Sequence, residues 1–285
     1  SLGVNGKCGV LQVRFKEILN RTGICKKLNS KLLHTLEHNT EIPKLKELSD
    51  DELAFLNELL PWAAYIVDEK GRMFGKPYSS KKRNEPQIIP DRRIVELNHR
   101  YKLANKQVLE VGCFEGIHTV ALAKLGAKVS AFDGRIENVI KTLVRCWAME
   151  AEVNVFHWNL ENKKSDLVDI NCDILHHVGV LYHLSNPLGH LKAILPSVKQ
   201  AVMLDTHVAP DKNLHKDSQD GFIYQFTDVR EPGRLAPFAG LKNYAKWLVL
   251  DDLIDFLRSY GFDNIEVAEH RMERNGPRVL IYAHR

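Results

Sequence analysis

A strand, a glycine turn, a helix and a second strand follow one another between Val108 and Arg135, and this unit constrains the fold most. The segment runs VLEVGCFEGIHTVALAKLGAKVSAFDGR, with Gly112 and Gly116 in the turn and Asp133 at the end of the second strand. Short strands that are apolar on both faces are typical of parallel sheets covered by helices. The unit therefore predicts an α/β fold that binds a ligand at the turn.

Strands and helices continue to alternate from residue 106 to the last residue of the sequence. This pattern predicts a Rossmann-like, mostly parallel seven-stranded sheet with helices on both faces. The last two strands, NIEVAEH and RVLIYAHR, have no helix between them. We therefore expect them to form an antiparallel hairpin at one edge of the sheet.

Residues 1–105 are expected to form a helical N-terminal extension with a long loop that can act as a lid. SDDELAFLNELLPW has Ser49 as a helix cap and apolar residues at helical spacing. DEKGRMFGKPYSSKKRNEPQIIP is rich in turn residues and charge, which favours a loop, and Pro90 then opens a further helix.

Residues 106–285 are expected to form the main domain, with an insert at about 208–247. Aromatic side chains are frequent in this insert, and they predict a small apolar core, a wall of the binding pocket, or both. They are Phe222, Tyr224, Phe226, Phe238, Tyr244 and Trp247.

Composition narrows the class of protein. The 40 basic and 36 acidic residues leave a formal charge of +4, which permits a nucleic-acid partner without indicating one. The five cysteines include no CxxC pair, so we expect reduced thiols rather than a disulfide framework. No apolar stretch is long enough to span a bilayer, and we expect a soluble, cytoplasmic protein without a membrane partner.

The turn discriminates between adenosine cofactors. A dinucleotide fingerprint would need glycine where Phe114 and Ile117 stand, and these bulky residues would keep a diphosphate away. S-Adenosylmethionine has no diphosphate, and its ammonium group would explain an acid at Glu110 or Glu115. Turn N–H groups are expected to meet an anionic group of the ligand, and Asp133 to bind the ribose hydroxyls. A nicotinamide cofactor is the alternative.

Three segments resemble motifs of the class I S-adenosylmethionine-dependent methyltransferases: VLEVGCFEG, AFDGR and HHVGVLYHLSNPLGHL. The resemblance implies methyl transfer to an acceptor. It also implies cofactor contacts from Gly112, Cys113, Phe114 and Gly116 to the methionine part, Asp133 to the ribose, Asn159 near the adenine and Gly179 at the sulfonium.

Candidate catalytic residues follow the fourth and fifth strands, where the methyl acceptor should lie. Tyr182 and His183 come after the fourth strand and His207 ends the fifth. An imidazole titrates near neutral pH and can remove a proton from an acceptor. His176 and His177 should point to opposite faces of their strand, and without an HExxH or CxxC spacing we predict no metal site.

GVLYHLSNPLGHL, followed by VMLDTHV, also resembles the tRNA wobble-uridine carboxymethyltransferase family. Tyr182 and His183 fall at the Tyr-His pair of that family, which uses carboxy-S-adenosylmethionine. The primary hypothesis is a methyltransferase for a small-molecule acceptor. A tRNA-modifying (carboxy)methyltransferase and a non-catalytic cofactor-binding module remain alternatives.

Overall fold

The computed structural model describes residues 44–78, 84–162 and 169–285, so the helices expected before residue 44 lie outside the described residues. None of the helices within these ranges is both long and apolar enough to cross a membrane. The helices are α1 (Asp50–Leu59), α2 (Arg92–Tyr101), α3 (Ile117–Lys124), α4 (Ile136–Ala148), α5 (Pro187–Ile194) and α6 (Leu250–Ser259). The strands are β1 (Tyr65–Val67), β2 (Met73–Gly75), β3 (Gln107–Val111), β4 (Lys128–Asp133), β5 (Val153–His157), β6 (Cys172–Val178), β7 (Val198–His207), β8 (His215–Gln219), β9 (Phe222–Arg230), β10 (Tyr244–Leu248), β11 (Asn264–Glu273) and β12 (Gly276–His284).

Seven strands form the central sheet in the order β11-β12-β7-β6-β3-β4-β5. The five strands from β7 to β5 in this order are parallel, whereas β12 pairs antiparallel with both β7 and β11. The predicted mostly parallel seven-stranded sheet and its late antiparallel hairpin are both confirmed. The chain runs outward from β3 in both directions, which makes the β3–β6 boundary the point where the strand order reverses.

Apolar side chains leave the central strands alternately toward two layers. On β3, Val108 packs into one layer with α2, α3 and α4, while Leu109 packs into the other with α5 and α6. Because successive residues of a strand point to opposite faces, one short apolar strand supplies both layers. Helices therefore cover both faces of the sheet, as predicted.

Part of the predicted loop at 68–90 forms a strand instead, because β2 pairs with the preceding β1 as an antiparallel hairpin. The carboxylate of Asp68 accepts the N–H groups of Lys70 and Arg72 at 2.9 and 2.8 Å, and Gly71 follows with φ of +79°. An aspartate that accepts nearby backbone N–H groups stabilises a tight turn. The short strands of three residues each gave too little periodicity to predict the hairpin.

Helix caps explain where α1 and α2 begin. Ser49 and Glu52 form a reciprocal capping box at α1, which confirms Ser49 as the cap. At α2 the capping side chain is Asp91, which accepts the N–H of Arg93, so the helix begins after Pro90 rather than at it.

A buried ion network attaches the segment before β1 to the main sheet. Glu115 is fully buried and accepts the N–H groups of Ala63 and Ala64 at 2.7 and 3.0 Å. Its carboxylate also lies 2.8 Å from the Nζ atom of Lys141. A buried charge with this many partners is a structural anchor.

The insert between β7 and α6 forms a three-stranded antiparallel sheet in the order β10-β9-β8. Tyr224 and Phe226 join the apolar layer that contains α5 and α6, whereas Phe238 lines the large cavity described below. The division into residues 1–105, 106–285 and an insert at 208–247 stays a prediction.

Candidate active site

A cavity of about 1100 Å³ opens at the carboxyl ends of β3, β4, β6 and β7, where the strand order reverses. We call the turn after β3 with Glu110 and Asp133 the glycine-turn end. The arginine end is formed by Arg93, Arg271 and Arg278 around Asp205. The predicted site residues that line the cavity are Glu110, Gly112, Cys113, Phe114, Asp133, Asn159, Gly179, Tyr182, His183 and His207.

Gly116 is the predicted contact that does not line the cavity. It precedes α3 with φ of +78°, and a Cβ atom there would lie 3.1 Å from the Cα atom of Thr142 in α4. Gly116 therefore allows α3 and α4 to approach. Gly112, with φ of +74°, does border the cavity, and a Cβ atom there would lie 2.3 Å from Val180 Cγ2.

The turn after β3 uses its backbone N–H groups within the protein. Those of Gly112 and Cys113 donate to the carbonyl of Phe132 at 2.9 and 3.1 Å. That of Phe114 donates to the carboxylate of Asp133 at 3.0 Å. The expectation that these donors meet an anionic group is therefore wrong for these three residues. The glycine-turn end instead presents two carboxyl groups.

Asp133 ends β4 with its carboxylate held in place. One oxygen accepts the N–H of Arg135 at 2.8 Å and the other accepts that of Phe114. The side chain of Asn138 also hydrogen-bonds to this carboxylate. A carboxylate has about four lone-pair sites, so Asp133 keeps acceptor capacity for a ligand in the cavity. Burial raises the pKa of Asp133.

Glu110 is a buried carboxyl group with one oxygen that lacks a hydrogen-bond partner in the described part of the chain. It is 1% exposed, and its Oε2 atom has no hydrogen-bond partner among the described residues. Burial raises the pKa of Glu110 to about 7. Since Glu115 is already paired, Glu110 is the acid of the two that faces the cavity.

A possible metal-ligand set that the sequence did not indicate lies beside Glu110. The ligand atoms of Glu110, His118 and His176 lie within 4.8 Å of one another, and both ring nitrogens of His176 lack partners among the described residues. However, the Nη2 atom of Arg93 lies 3.4 Å from His118 Nε2, and the positive charge of this guanidinium disfavours the binding of a metal cation there. That the site holds no metal stays a prediction.

His177 points away from His176, as the alternation of a strand predicts. Its Nε2 atom lies 3.0 Å from that of His190, and both rings are buried. Burial lowers the pKa of His177 to about 3, so the pair is neutral. We assign these two histidines a structural role.

Three of the predicted cofactor contacts, Asn159, Gly179 and Cys113, offer no reactive side chain to the cavity. Asn159 lines the cavity and accepts the N–H of Glu161 at 3.0 Å. Gly179 has φ of +76°, and a Cβ atom there would lie 3.9 Å from the hydroxyl of Tyr182. Burial, with nearby Asp133, raises the pKa of Cys113 well above its ordinary value, which argues against a nucleophilic thiolate.

His183 belongs to a carboxylate–imidazole pair. Its Nδ1 atom lies 2.8 Å from the Oε1 atom of Glu231, whose Oε2 atom accepts the N–H of Gly240 at 3.0 Å. A carboxylate can only accept, so Nδ1 carries the proton and Nε2 can accept one. Glu231 lies 48 residues from His183 in an irregular stretch after β9, and no sequence pattern pointed to it.

Tyr182 and His207 lie beside this pair. The Tyr182 ring is 4.1 Å from that of His183 and 4.7 Å from that of His207. His207 donates from Nδ1 to the carbonyl of Pro277 and stacks on Trp247. Burial lowers the pKa of His207 and raises that of Tyr182, so both side chains are neutral near pH 7.

At the arginine end, the negative charge of Asp205 is compensated by arginine side chains of the protein itself. Asp205 is fully buried, and its carboxylate lies 2.9 Å from Arg93 Nη1, 3.1 Å from Arg271 Nη2 and in contact with Arg278 Nε. Burial alone would raise the pKa of Asp205, but Arg278, Arg93 and Arg271 together lower it. This network joins α2 to β7, β11 and β12.

Solved structures with the same architecture come from EvdMO1. Its N-terminal domain, solved with S-adenosylhomocysteine and D-fucose present, superposes with a TM-score of 0.69 at 23% identity over 85% of this chain and 99% of that chain. The same domain with S-adenosylhomocysteine bound gives 0.69 at 24% identity over 83% and 97%. Full-length EvdMO1 gives 0.58 at 20% identity over 84% of this chain and 49% of that chain.

The fold is that of the class I methyltransferases. No protein-family model and no curated protein sequence matches the chain. The resemblance to the tRNA wobble-uridine carboxymethyltransferases gains no support from these comparisons and stays a prediction.

Proposed function

We propose that the protein is an S-adenosylmethionine-dependent methyltransferase that acts on a hydroxyl group of a small molecule. The observation that carries this proposal is the chemistry of the glycine-turn end. Glu110 is a buried carboxyl group with an oxygen that lacks a partner among the described residues, and it faces the cavity. A cationic ammonium group is the ligand that such a carboxyl group would bind.

The same end fits a dinucleotide poorly. A diphosphate needs backbone N–H donors, but those of Gly112, Cys113 and Phe114 already donate to Phe132 and Asp133. Asp133 lines the cavity with acceptor capacity left for a ribose hydroxyl, and Glu110 suits the methionine ammonium. We therefore favour S-adenosylmethionine over a nicotinamide cofactor.

S-Adenosylmethionine, when bound, supplies an electrophilic methyl group. The role of the protein is to align the acceptor with this methyl group and to remove the proton of the acceptor. His183 Nε2 accepts the proton of the acceptor hydroxyl, and Glu231 stabilises the resulting imidazolium through Nδ1. Tyr182 and His207, which are both neutral, form the adjacent wall.

A small acceptor agrees with the size and lining of the cavity. Its volume of about 1100 Å³ is at the upper limit for one drug-sized ligand, which leaves room for a cofactor and a compact acceptor. The EvdMO1 domain was solved in the presence of D-fucose, so hydroxylated sugars are the first acceptors to assay. Cytoplasmic location stays a prediction.

Two measurements test this proposal. Calorimetry should detect binding of S-adenosylhomocysteine and little binding of NADH. Incubation with S-adenosylmethionine and a panel of sugars or other hydroxylated molecules should give S-adenosylhomocysteine and a methylated product by mass spectrometry. His183→Ala should slow this reaction by about a hundredfold or more.

Each alternative has its own outcome. Binding of NADH instead of S-adenosylhomocysteine would overturn the cofactor assignment. Cofactor binding without any product would indicate a non-catalytic module. Product only with bulk tRNA would replace the small-molecule acceptor with an RNA one, and product only with carboxy-S-adenosylmethionine would replace the methyl donor.

A further inference from the structure

Arg135 is a buried arginine whose guanidinium donates hydrogen bonds to several carbonyl groups of one loop. We call residues 233–240 the cap loop. The Nη2 atom of Arg135 lies 3.2 Å from the carbonyl oxygen of Gly233, 2.9 Å from that of Ala236 and 3.1 Å from that of Ala239. The side chain is only 7% exposed, and these carbonyl oxygens replace the water that the charge has lost.

The cap loop borders the cavity. Phe238 lies 5.3 Å from the ring of Phe114 and 4.9 Å from that of Tyr78. A Cβ atom on Gly240 would lie 2.4 Å from the carbonyl oxygen of His183, so the loop backbone is packed directly against the turn that carries this histidine.

Arg135 connects two functional groups that lie in different parts of the chain. Its backbone N–H donates to Asp133, while its side chain holds the cap loop. At the end of this loop, the N–H of Gly240 donates to Glu231, which in turn holds Nδ1 of His183. A continuous series of hydrogen bonds thus runs from the ribose-binding carboxylate to the base.

We propose that Arg135 is a positioning residue: by fixing the cap loop it orients Glu231, and through Glu231 it orients His183. This inference rests on the proposed function for the role of His183. Lysine can replace Arg135 only in part, because one ammonium group has three donors and lacks the planar fork that reaches several carbonyls at once.

Amide hydrogen exchange measured by mass spectrometry tests whether Arg135 fixes the cap loop, and this measurement needs no methyl acceptor. In Arg135→Met, peptides that cover the cap loop should exchange about tenfold faster than in the wild type. Arg135→Lys, which keeps the charge, should give an intermediate rate, and Arg258→Met, at an exposed arginine of α6, should leave it unchanged. Equal rates in the wild type and in both Arg135 variants would overturn the proposal.

A double-mutant cycle on kcat tests the catalytic half. Arg135→Met and Glu231→Gln should each lower kcat by about tenfold or more, and the double variant should be no slower than the slower single one. The affinity for S-adenosylhomocysteine should stay within about threefold, because the backbone N–H that holds Asp133 remains. Multiplicative effects on kcat would show that Arg135 does not act through Glu231.

The two proposals fail differently. A wild-type protein that binds no S-adenosylhomocysteine would refute the proposed function, whatever the cap loop does. Normal cofactor binding and turnover, together with a multiplicative cycle, would refute only the role of Arg135.

Discussion

At the glycine-turn end of the cavity, Glu110 is buried with an oxygen that has no partner among the described residues, whereas at the arginine end Asp205 is buried among three guanidinium groups. Both carboxyl groups are almost inaccessible. In the proposed function a bound cation compensates the first, whereas the protein itself compensates the second. The difference teaches that burial alone does not mark a ligand site; a buried group that lacks a partner and also lines a cavity is the better indicator.

The largest difference between the Asp205 and Glu110 variants should appear in the free energy of unfolding. Asp205→Asn leaves three guanidinium groups around a neutral amide, so we expect a loss of about 3–5 kcal/mol in the free energy of unfolding. Glu110→Gln removes a carboxyl group whose ionised form is penalised by burial, so at pH 7 we expect no loss of stability. Urea denaturation of the two variants measures both values.

An equal loss in the two variants would contradict the contrast, because it would mean that Glu110 also has a structural partner. Asp251→Asn, at an exposed acid in the first turn of α6, is a control for the loss of one negative charge at the surface.

The second effect concerns the affinity for the cofactor. Asp133→Ala removes the acceptor that we propose for the ribose hydroxyls, and each charge-assisted hydrogen bond is worth about 1.5–3 kcal/mol. We therefore expect the Kd for S-adenosylhomocysteine to rise by about a hundredfold or more. Calorimetry measures it, with Asp205→Glu at the arginine end as a comparison that keeps the charge there. Near-wild-type affinity in Asp133→Ala would rule out the ribose assignment.

Much of the glycine-turn end could be predicted from the sequence because it is local. Gly112 and Asp133 lie 21 residues apart, and the strand–turn–helix–strand pattern that joins them fixes where both must lie. The sheet was predictable for the same reason, since apolar periodicity and glycine turns act over short distances.

The other end could not be predicted, because its contacts join distant parts of the chain. Arg93 and Asp205 are 112 residues apart, and His183 meets Glu231 across 48. His183 lines the cavity, but its position in the sequence gives no means to identify its partner. Likewise, no local pattern indicates the partners of Arg135, because the carbonyl groups that it binds lie about a hundred residues later.

A pH titration sharpens the comparison at Glu110. The pKa of this group is about 7 in the free protein, and only its ionised form can hold an ammonium group. Below pH 7 a proton must leave before the ligand binds, so the Kd for S-adenosylhomocysteine should rise by up to about tenfold per pH unit. Glu110→Gln should bind more weakly at pH 8 and lose this dependence.

The effect of Glu110 on stability has the opposite sign from its effect on binding. Folding raises its pKa from 4.5 to about 7, so the group stabilises the folded state below pH 4.5 and this contribution is lost as the pH rises through 7. The difference in unfolding free energy between the wild type and Glu110→Gln should therefore fall with rising pH. A constant difference would show that the carboxyl group titrates normally.

The smallest expected effect separates backbone strain from crowding in the glycine turn. Gly112 and Gly71 have φ of +74° and +79°, yet a Cβ atom at Gly112 would lie 2.3 Å from Val180 Cγ2, and one at Gly71 would have no atom within 4 Å. Alanine at either site should cost about 1 kcal/mol for the left-handed backbone. Only Gly112→Ala should add a further 1–3 kcal/mol, roughly, for the displaced valine.

Because Val180 lines the cavity, the same variant should also weaken the binding of S-adenosylhomocysteine, whereas Gly71→Ala should not. If the two variants unfold at the same urea concentration, the packing of Val180 on the turn does not constrain Gly112.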